Sequence, residues 1–503
     1  MKIAIKTSLS AKWYMYVNPS VLHKTALLFV IFQLVLALNI LNAQTQELLI
    51  DVSDIQNYDY LSALSEKPPN DLAYVEAYTN KVIELANNHG YPFASASVKP
   101  LHFSEDSIKI KIIFDPGILI KWIDVETDED VIRPSFLRRY LNIIPGQPYS
   151  ARSISKIPEK MARIPYFQMD NNATVQFQNE GALVKLNGNK YPSSSFNGIV
   201  GLMTEPVSND LIITGQVDLE LNNLFRSGKS FDAHWQQLNS NSPYFNTSYF
   251  HPYFAGSPIS LRGGFSLLKQ DSSFISREAE FLIQFDLSSR QTISAKYANY
   301  YSFGLESESD IEIPRLNNNQ YGLVYKYERS NRYFSPTSAE EIMISATAGS
   351  KRIDETASTG HLNINGNAKI IRETSMSVPL VFFNKLSAGI LISDSLYVSE
   401  LFRLGGFNTL RGFNENFFFA EQYLINQTEI RLPFDDFSYL LAFFDFGLLT
   451  LQNMDDFPYA TGIGFNIRNQ NGIFQVIYAI GASQDLNFTL EQSKIHFGYK
   501  SIF

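Results

Sequence analysis

Residues 210–222 read DLIITGQVDLELN, and their order of side chains sets the fold class. Leu211, Ile213, Val217, Leu219 and Leu221 share one parity, whereas Thr214, Gln216, Asp218, Glu220 and Asn222 share the other. A period of two belongs to an extended strand, whose successive side chains point to opposite faces. The alternation returns in QTISAKYANYYSF (291–303), where Ile293, Ala295, Tyr297 and Tyr301 oppose Thr292, Ser294 and Lys296. It returns again in EIMISATAG (341–349) and KIHFGYKSIF (494–503). A soluble β-sandwich also alternates, but its outer face carries mainly Lys and Glu. Here the polar face is rich in Gln, Asn, Ser and Asp, which suits a wet lumen, and aromatics gather near strand ends. That is the pattern of a transmembrane β-barrel, and 191–503 is long enough for about 16 antiparallel strands with mostly short connections.

Composition narrows the setting. The chain has 503 residues, a net charge of −9 and only 18% charged residues. Its length allows roughly two to four domains. No basic field is available to neutralise phosphates, so nucleic acid is not an expected partner. With no cysteine, the chain suits an oxidising compartment without requiring one. Lys2, Lys6, Lys12 and Lys24 precede the apolar run ALLFVIFQLVLALNIL (26–41), and Ala43 follows it. Positive flank, apolar centre and small residue form the layout of a secretory signal. The run contains Gln33 and Asn39 and is shorter than the ~20 residues of a spanning helix. Residues 1–43 are therefore expected to be a cleaved signal peptide. No later segment approaches the length of a transmembrane helix, which leaves an exported soluble protein or a closed barrel.

Between these ends the texture is mixed. NDLAYVEAYTNKVIELANNHGYP (70–92) opens on an Asn/Asp cap, puts Val75, Tyr78, Val82 and Leu85 on one face, and stops at Gly90 before Pro92, as a helix does. SIKIKIIF (107–114) alternates as a half-buried strand, with SEDS as a turn back to SASVKPLHF (95–103). From 121 to 190 the order is clearer: strand IKWIDVET (120–127), helix IRPSFLRRYL (132–141), a helix over 149–164 bent at Pro158, and a hairpin of ATVQFQ (173–178) with ALVKLN (182–187). Residues 47–120 read as a less regular copy whose first helix the pattern does not place.

LFRLGGFNTLRGFNENFFFA (401–420) carries three glycines, two arginines and a dense aromatic block, unusual material for a connection between strands. In the two strands that follow, Gln427, Glu429 and Arg431 share a face, as do Phe443, Asp445 and Gly447. The glycines let the loop turn tightly, and its aromatics have a lumen to pack in. The loop reads as a plug.

Over about residues 47–503 these features resemble the outer-membrane BamA/TamA-like assembly and secretion superfamily (bacterial surface antigen family). LRGF (410–413) is similar to the family's [VI]RG[FY] signature on the loop that folds into the barrel. Phe443, Asp445 and Gly447 match its Phe-x-Asp-x-Gly, and Glu429 stands on the preceding strand. The resemblance implies α+β POTRA-like (polypeptide-transport-associated) periplasmic modules at 47–120 and 121–190, then a barrel over 191–503 with an inward-folded loop, 394–420, between the eleventh and twelfth strands. Arg411, Gly412, Phe413, Glu429, Phe443, Asp445 and Gly447 become the expected loop–barrel lock: if both strand faces are luminal, two carboxylates meet the cation of Arg411 arriving from the loop, and a planar guanidinium can bond two carboxylate-bearing strands at once. The barrel seam joins a first strand near Ser195–Met203, containing Gly198 and Gly201, to the last strand, with Phe497, Tyr499 and Phe503 on one face. IHFGYKSIF (495–503) also resembles the targeting signal of barrel proteins.

The implied location is the bacterial outer membrane. The implied partners are its lipid bilayer, unfolded outer-membrane or secreted polypeptides, and periplasmic or inner-membrane assembly components. The implied function is assembly or insertion at the seam; a polypeptide secretion pore of two-partner type or a passive channel is the alternative. Two modules are fewer than the family's assembly members commonly carry. No enzyme, cofactor or metal is expected. The seven histidines are scattered without ligand-pair spacing, Gly-x-Ser-x-Gly and phosphate-loop motifs are missing, and His234 beside Asp232 reads as lumen lining.

Overall fold

In residues 107–115 every second side chain is isoleucine or phenylalanine, and the strand Ser107–Asp115 buries all four: Ile108, Ile110, Ile112 and Phe114. It is the central strand of a three-stranded sheet, pairing in parallel with Glu47–Asp51 and antiparallel with Ser95–Phe103. Helix Leu72–Asn88 adds Val75, Val82 and Ala86 to the same core. The chain leaves this helix through Gly90 at φ +99°, where a Cβ would lie 2.6 Å from Leu119 Cδ1. The parallel strand Glu47–Asp51 and a 3-10 turn at Asp59–Leu64 have no counterpart in the sequence reading. Both are too short to show a period.

The computed structural model describes residues 47–503 apart from 65–71, 104–106, 128–129, 180, 205–210, 238–241, 272, 306–312, 332–335, 355–356, 375–377, 452–453 and 470–471. The expected signal peptide 1–43, the Asn70–Asp71 cap and most of the SEDS turn lie outside the described residues. The chain divides into two compact units, one comprising Met1–Trp122, Gly146–Arg152 and Phe177–Ala182, the other Ile123–Pro145, Ser153–Gln176 and Leu183–Phe503.

A second three-stranded sheet runs in the order Lys121–Thr127, Gly181–Leu186, Thr174–Gln178. Helix Pro134–Leu141 starts on its proline and ends at Asn142 in the left-handed region. Arg138 ties it to the sheet with two hydrogen bonds to Asp124, at 2.8 and 2.6 Å. Burial would raise the Asp124 carboxyl, but these bonds and one from the Val125 amide hold it below its usual range. The expected helix over 149–164 is two short ones, Ala151–Ser155 and Ile157–Met161. Pro158 lies in the first turn of the second, where its missing N–H costs nothing. Because Gly181–Leu186 is central, only Thr174–Gln178 of that hairpin lies at a sheet edge.

From Ser195 the chain forms a closed antiparallel barrel, sixteen strands among the described residues, from Ser195–Thr204 to Lys494–Ile502. The fourteenth is interrupted, with Met454–Asp456 and Tyr459–Asn469 both paired to Tyr439–Leu451. Alternation decides the faces. In Leu316–Ser330, Tyr321 and Leu323 are 65% and 56% exposed, while Asn318 and Gln320 are buried inside. Closure pairs every strand on both sides, the condition for sheet to stand in lipid.

Within the second unit, hairpin turns of the barrel engage Val131 and Glu159. Arg290 donates two hydrogen bonds to Glu159, at 2.7 and 2.8 Å, and Asn223 Nδ2 donates to Val131 O at 2.9 Å. The Arg290 bonds hold the Glu159 carboxyl below its usual range.

Leu323→Arg places a charge in mid-strand on the apolar outer face and is expected to destabilise the folded barrel by ~2–4 kcal/mol. The measurement is the temperature of the folded-to-unfolded gel shift; unchanged heat resistance would contradict the assignment of faces.

Candidate functional site

The long connection 394–420 leaves the eleventh strand, Val381–Ser393, and returns in the twelfth, Gln422–Pro433. It forms a short turn, Val398–Glu400, and a two-stranded ribbon of Phe402–Leu404 with Phe418–Ala420. At its tip Gly405 and Gly406 take φ +117° and +88°, angles that L side chains rarely adopt. Thr409 Oγ1 both accepts from Gly405 N–H and donates to Gly405 O, and Glu415 accepts from Phe407 N–H. Leu404, Leu410, Phe413 and Phe418 pack against Ile425, Leu449 and Ala460 of the wall. The aromatics of the loop thus have an apolar surface to cover.

Arg411 stands at the centre of this contact and is 3% exposed. Its Nε and Nη2 donate to Asp445 Oδ2 and Oδ1 at 2.8 and 2.6 Å, and its Nη1 donates to Glu429 Oε1 at 2.5 Å. Its backbone N–H also donates to Asp445 Oδ2, at 3.2 Å. The guanidinium carbon lies 3.8 Å from the centre of the Phe443 ring. Arg431 Nε donates to the other Glu429 oxygen at 2.7 Å. Burying such charges is expensive, and only a full set of paired, hydrogen-bonded groups offsets it.

The backbone beside Arg411 is equally constrained. Gly412 sits at φ +88°, and a Cβ there would lie 2.8 Å from Gly481 N. Gly481 faces the Phe413 ring, where its own Cβ would come within 2.8 Å. Gly462 stands in the same way under the Phe443 ring, and Gly447 packs on Leu410 and Pro458. The structure therefore brings Arg411, Gly412, Phe413, Glu429, Phe443, Asp445 and Gly447 together. It adds Gly462, Gly481 and His496, whose Nε2 accepts from Gly412 N–H at 3.3 Å. A glycine of luminal parity in a strand pattern was the available signal for the first two; His496 had none.

A second ionic contact holds the root of the loop. Lys351 Nζ, fully buried, donates to Glu400 Oε2 at 2.8 Å and to Ser395 O at 2.5 Å. Nearby Tyr300 donates to Ser399 O at 2.5 Å. Sequence reasoning missed this pair, because nothing in the local pattern relates a strand lysine to a glutamate of the loop.

The seam residues do not converge on the lock. The first and last strands share two register pairs, Ser501 with Phe196 and Ile502 with Ser195. Phe503 extends the contact by accepting from Ser193 and Ser194 N–H and donating to Ser194 O. Each other junction between neighbouring strands has at least eight pairs. Gly198 and Gly201 pair on their other side with Val217 and Thr214. Phe497 and Phe503 are exposed on the outer face, and Tyr499 shares their parity. His234 donates from Nδ1 to Asp218 at 2.5 Å, across the strand boundary, whereas Asp232 accepts from Ser248.

The chain is thus a sixteen-strand membrane barrel with an in-folded, arginine-anchored loop, preceded by small α+β segments. The family model of the Omp85 superfamily domain matches residues 223–500, more than half of the chain, and the chain belongs to that superfamily. The superfamily's barrels are outer-membrane insertion or transport factors rather than enzymes. Among solved structures, CdiB from Escherichia coli is 12% identical with a TM-score of 0.62, covering 92% of each chain. CdiB from Acinetobacter baumannii is 12% identical with a TM-score of 0.61, covering 91% of this chain and 90% of its own. At this identity the likeness is one of fold. BamA from Haemophilus ducreyi lacking POTRA domains 1-3 is 15% identical over 92% of this chain and 99% of its own, with a TM-score of 0.49. No curated protein matches the sequence.

Arg411→Ala leaves Asp445 and Glu429 buried without their shared cation, and loop docking is expected to weaken by ~3–5 kcal/mol. Folded-barrel heat resistance on gels should fall and function should be lost. An Arg411→Ala protein equal to wild type in both would show that the contact holds nothing.

Proposed function

We propose that this protein assembles or inserts polypeptides in the outer membrane: N-terminal modules on the periplasmic side capture an unfolded chain, and the barrel seam parts to template it. The observation that carries this reading is the seam of two register pairs. A ladder hydrogen bond is worth about 0.5–1.5 kcal/mol net, so this junction is far cheaper to part than neighbours four or more times longer. Once parted, it offers an unpaired strand edge. Gly198 and Gly201 in the first strand weaken it further.

The alternative is a polypeptide secretion pore or passive channel. Two features favour insertion. The loop inside the barrel is held by buried ion pairs, so conduction requires their release. Capture modules serve a templated client, and a passive channel has no use for them. The modules supply edges for β-augmentation, at Thr174–Gln178 in the second sheet and at Ser95–Phe103 in the first, where Leu101 and Phe103 are exposed. The clients are unfolded outer-membrane or secreted polypeptides. The lipid bilayer and periplasmic or inner-membrane assembly components complete the partners.

Because the chain lacks cysteine, an engineered pair makes a specific lock. One cysteine belongs in 197–201 and the other in 496–500. Extending the seam register sets position 199 opposite 498, and Gly498 has room for a Cβ. Assisted insertion of a barrel precursor into liposomes should stop on oxidation and return on reduction. Full activity with a verified seam disulfide would exclude lateral opening and leave the pore reading. Separately, crosslinking of an unfolded precursor should map to Thr174–Gln178; full activity of a protein lacking 47–190 would rule out capture by the modules.

A further inference from the structure

We propose that Lys500 and Glu220 form a luminal clasp that supplements the short ladder of the seam and sets how readily it parts; this rests on the reading of the seam as the opening. The register fixes the geometry. Ile502 lies opposite Ser195, and Ser195 lies opposite Glu220 on the second strand. Lys500, of the same parity as Ile502, therefore has to cross the first strand to reach Glu220. Its Nζ does so and donates to Glu220 Oε2 at 2.6 Å.

No other ion pair between barrel strands does this among the described residues. Lys296 with Glu280, Lys369 with Glu341, Arg372 with Glu340 and His234 with Asp218 each join adjacent strands, already bound by long ladders. The strand-skipping contact occurs at the junction whose ladder is only two register pairs long.

Glu220 is oriented for it. Its Oε2 also accepts from Ser195 Oγ at 3.2 Å, and its Oε1 accepts from Asn222 Nδ2 at 3.1 Å. One carboxylate thus gathers donors from the second strand, the first and the last. Asp218, next along this face, is already engaged by His234, Gln216 and Asn197. The last strand brings the cation and the second strand the anion, so parting the seam separates opposite charges. The Lys500 and Glu220 side chains are 43% and 27% exposed, so lumen water and salt reach the pair. The clasp is therefore tunable by ionic strength, which screens exposed charges. An incoming strand displaces it by taking the seam edge and pushing Lys500 away from Glu220.

The test uses the full chain in liposomes with Ile199→Cys and Gly498→Cys, reading the rate of disulfide formation as the time the seam spends closed. Lys500→Glu and Glu220→Lys should each slow the rate several-fold, and the double swap should bring it back to within about twofold of the parent. Raising salt about tenfold should slow the parent and leave Lys500→Met/Glu220→Met unchanged. Gel-shift heat resistance identifies a variant that has lost its fold, and the Met pair, which carries no repulsion, then supplies the salt comparison. A Lys500→Glu protein that crosslinks at the parental rate, or a double swap that fails to recover, overturns the clasp. If the disulfide still abolishes insertion in that case, lateral opening stands without it. If the locked protein inserts substrate normally, the seam reading fails and the clasp with it.

Discussion

The arrangement of this barrel depends on a guanidinium that water does not reach. Arg411 is covered on one side by the Phe443 ring and satisfied on the others by Asp445 and Glu429. A charge so placed tolerates little variation. Two carboxylates must be present, on adjacent strands and both facing inward, and the loop must arrive at a fixed height. Gln427 pairs with Asp445, and Glu429 with Phe443, so the register of the twelfth and thirteenth strands sets the spacing that the guanidinium spans.

Other features follow from that requirement. A loop pressed against the wall leaves no room for a Cβ at Gly412 or Gly481, and the Phe443 ring that supports Arg411 leaves none at Gly462. The Lys351–Glu400 contact fixes the root of the loop, so its position is determined at two places. The tip also touches the last strand, because Gly412 N–H donates to His496 and the Phe407 ring lies 6.0 Å from the His496 ring. The docked loop therefore braces one side of the seam. The contrast in the wall is physical: long ladders over most of the circumference, and one junction held by two register pairs, the backbone bonds of Phe503 and side-chain contacts.

Much of this was legible in the chain because it repeats or because charge has to be paired. The period of two in 211–222 and 291–303 marks strands wherever polar and apolar residues alternate over enough length. Arg411, Glu429 and Asp445 were readable as a set because LRGF and Phe443-x-Asp445-x-Gly447 resemble the family's motifs, and alternation then puts both carboxylates on faces that a luminal cation can reach. Glu47–Asp51 was not readable, being five residues whose strand identity comes from pairing with Ser107–Asp115. The split near Pro158 was visible as a bend but not as two helices. Lys351, Glu400, His496 and Gly481 escaped because their roles arise only when a loop crosses the lumen. His234 was set beside Asp232 by parity alone, whereas register gives it Asp218.

The most direct measurement is the coupling free energy between Arg411 and Asp445, from the unfolding stabilities of Arg411→Ala, Asp445→Ala, the double variant and the parent in one detergent. If the buried pair holds the loop to the wall, each single change leaves a charge unsatisfied. The double change then costs much less than their sum, with a coupling of about 2 kcal/mol or more. Strictly additive losses would mean that the two groups act independently and that the loop is held by its apolar packing alone.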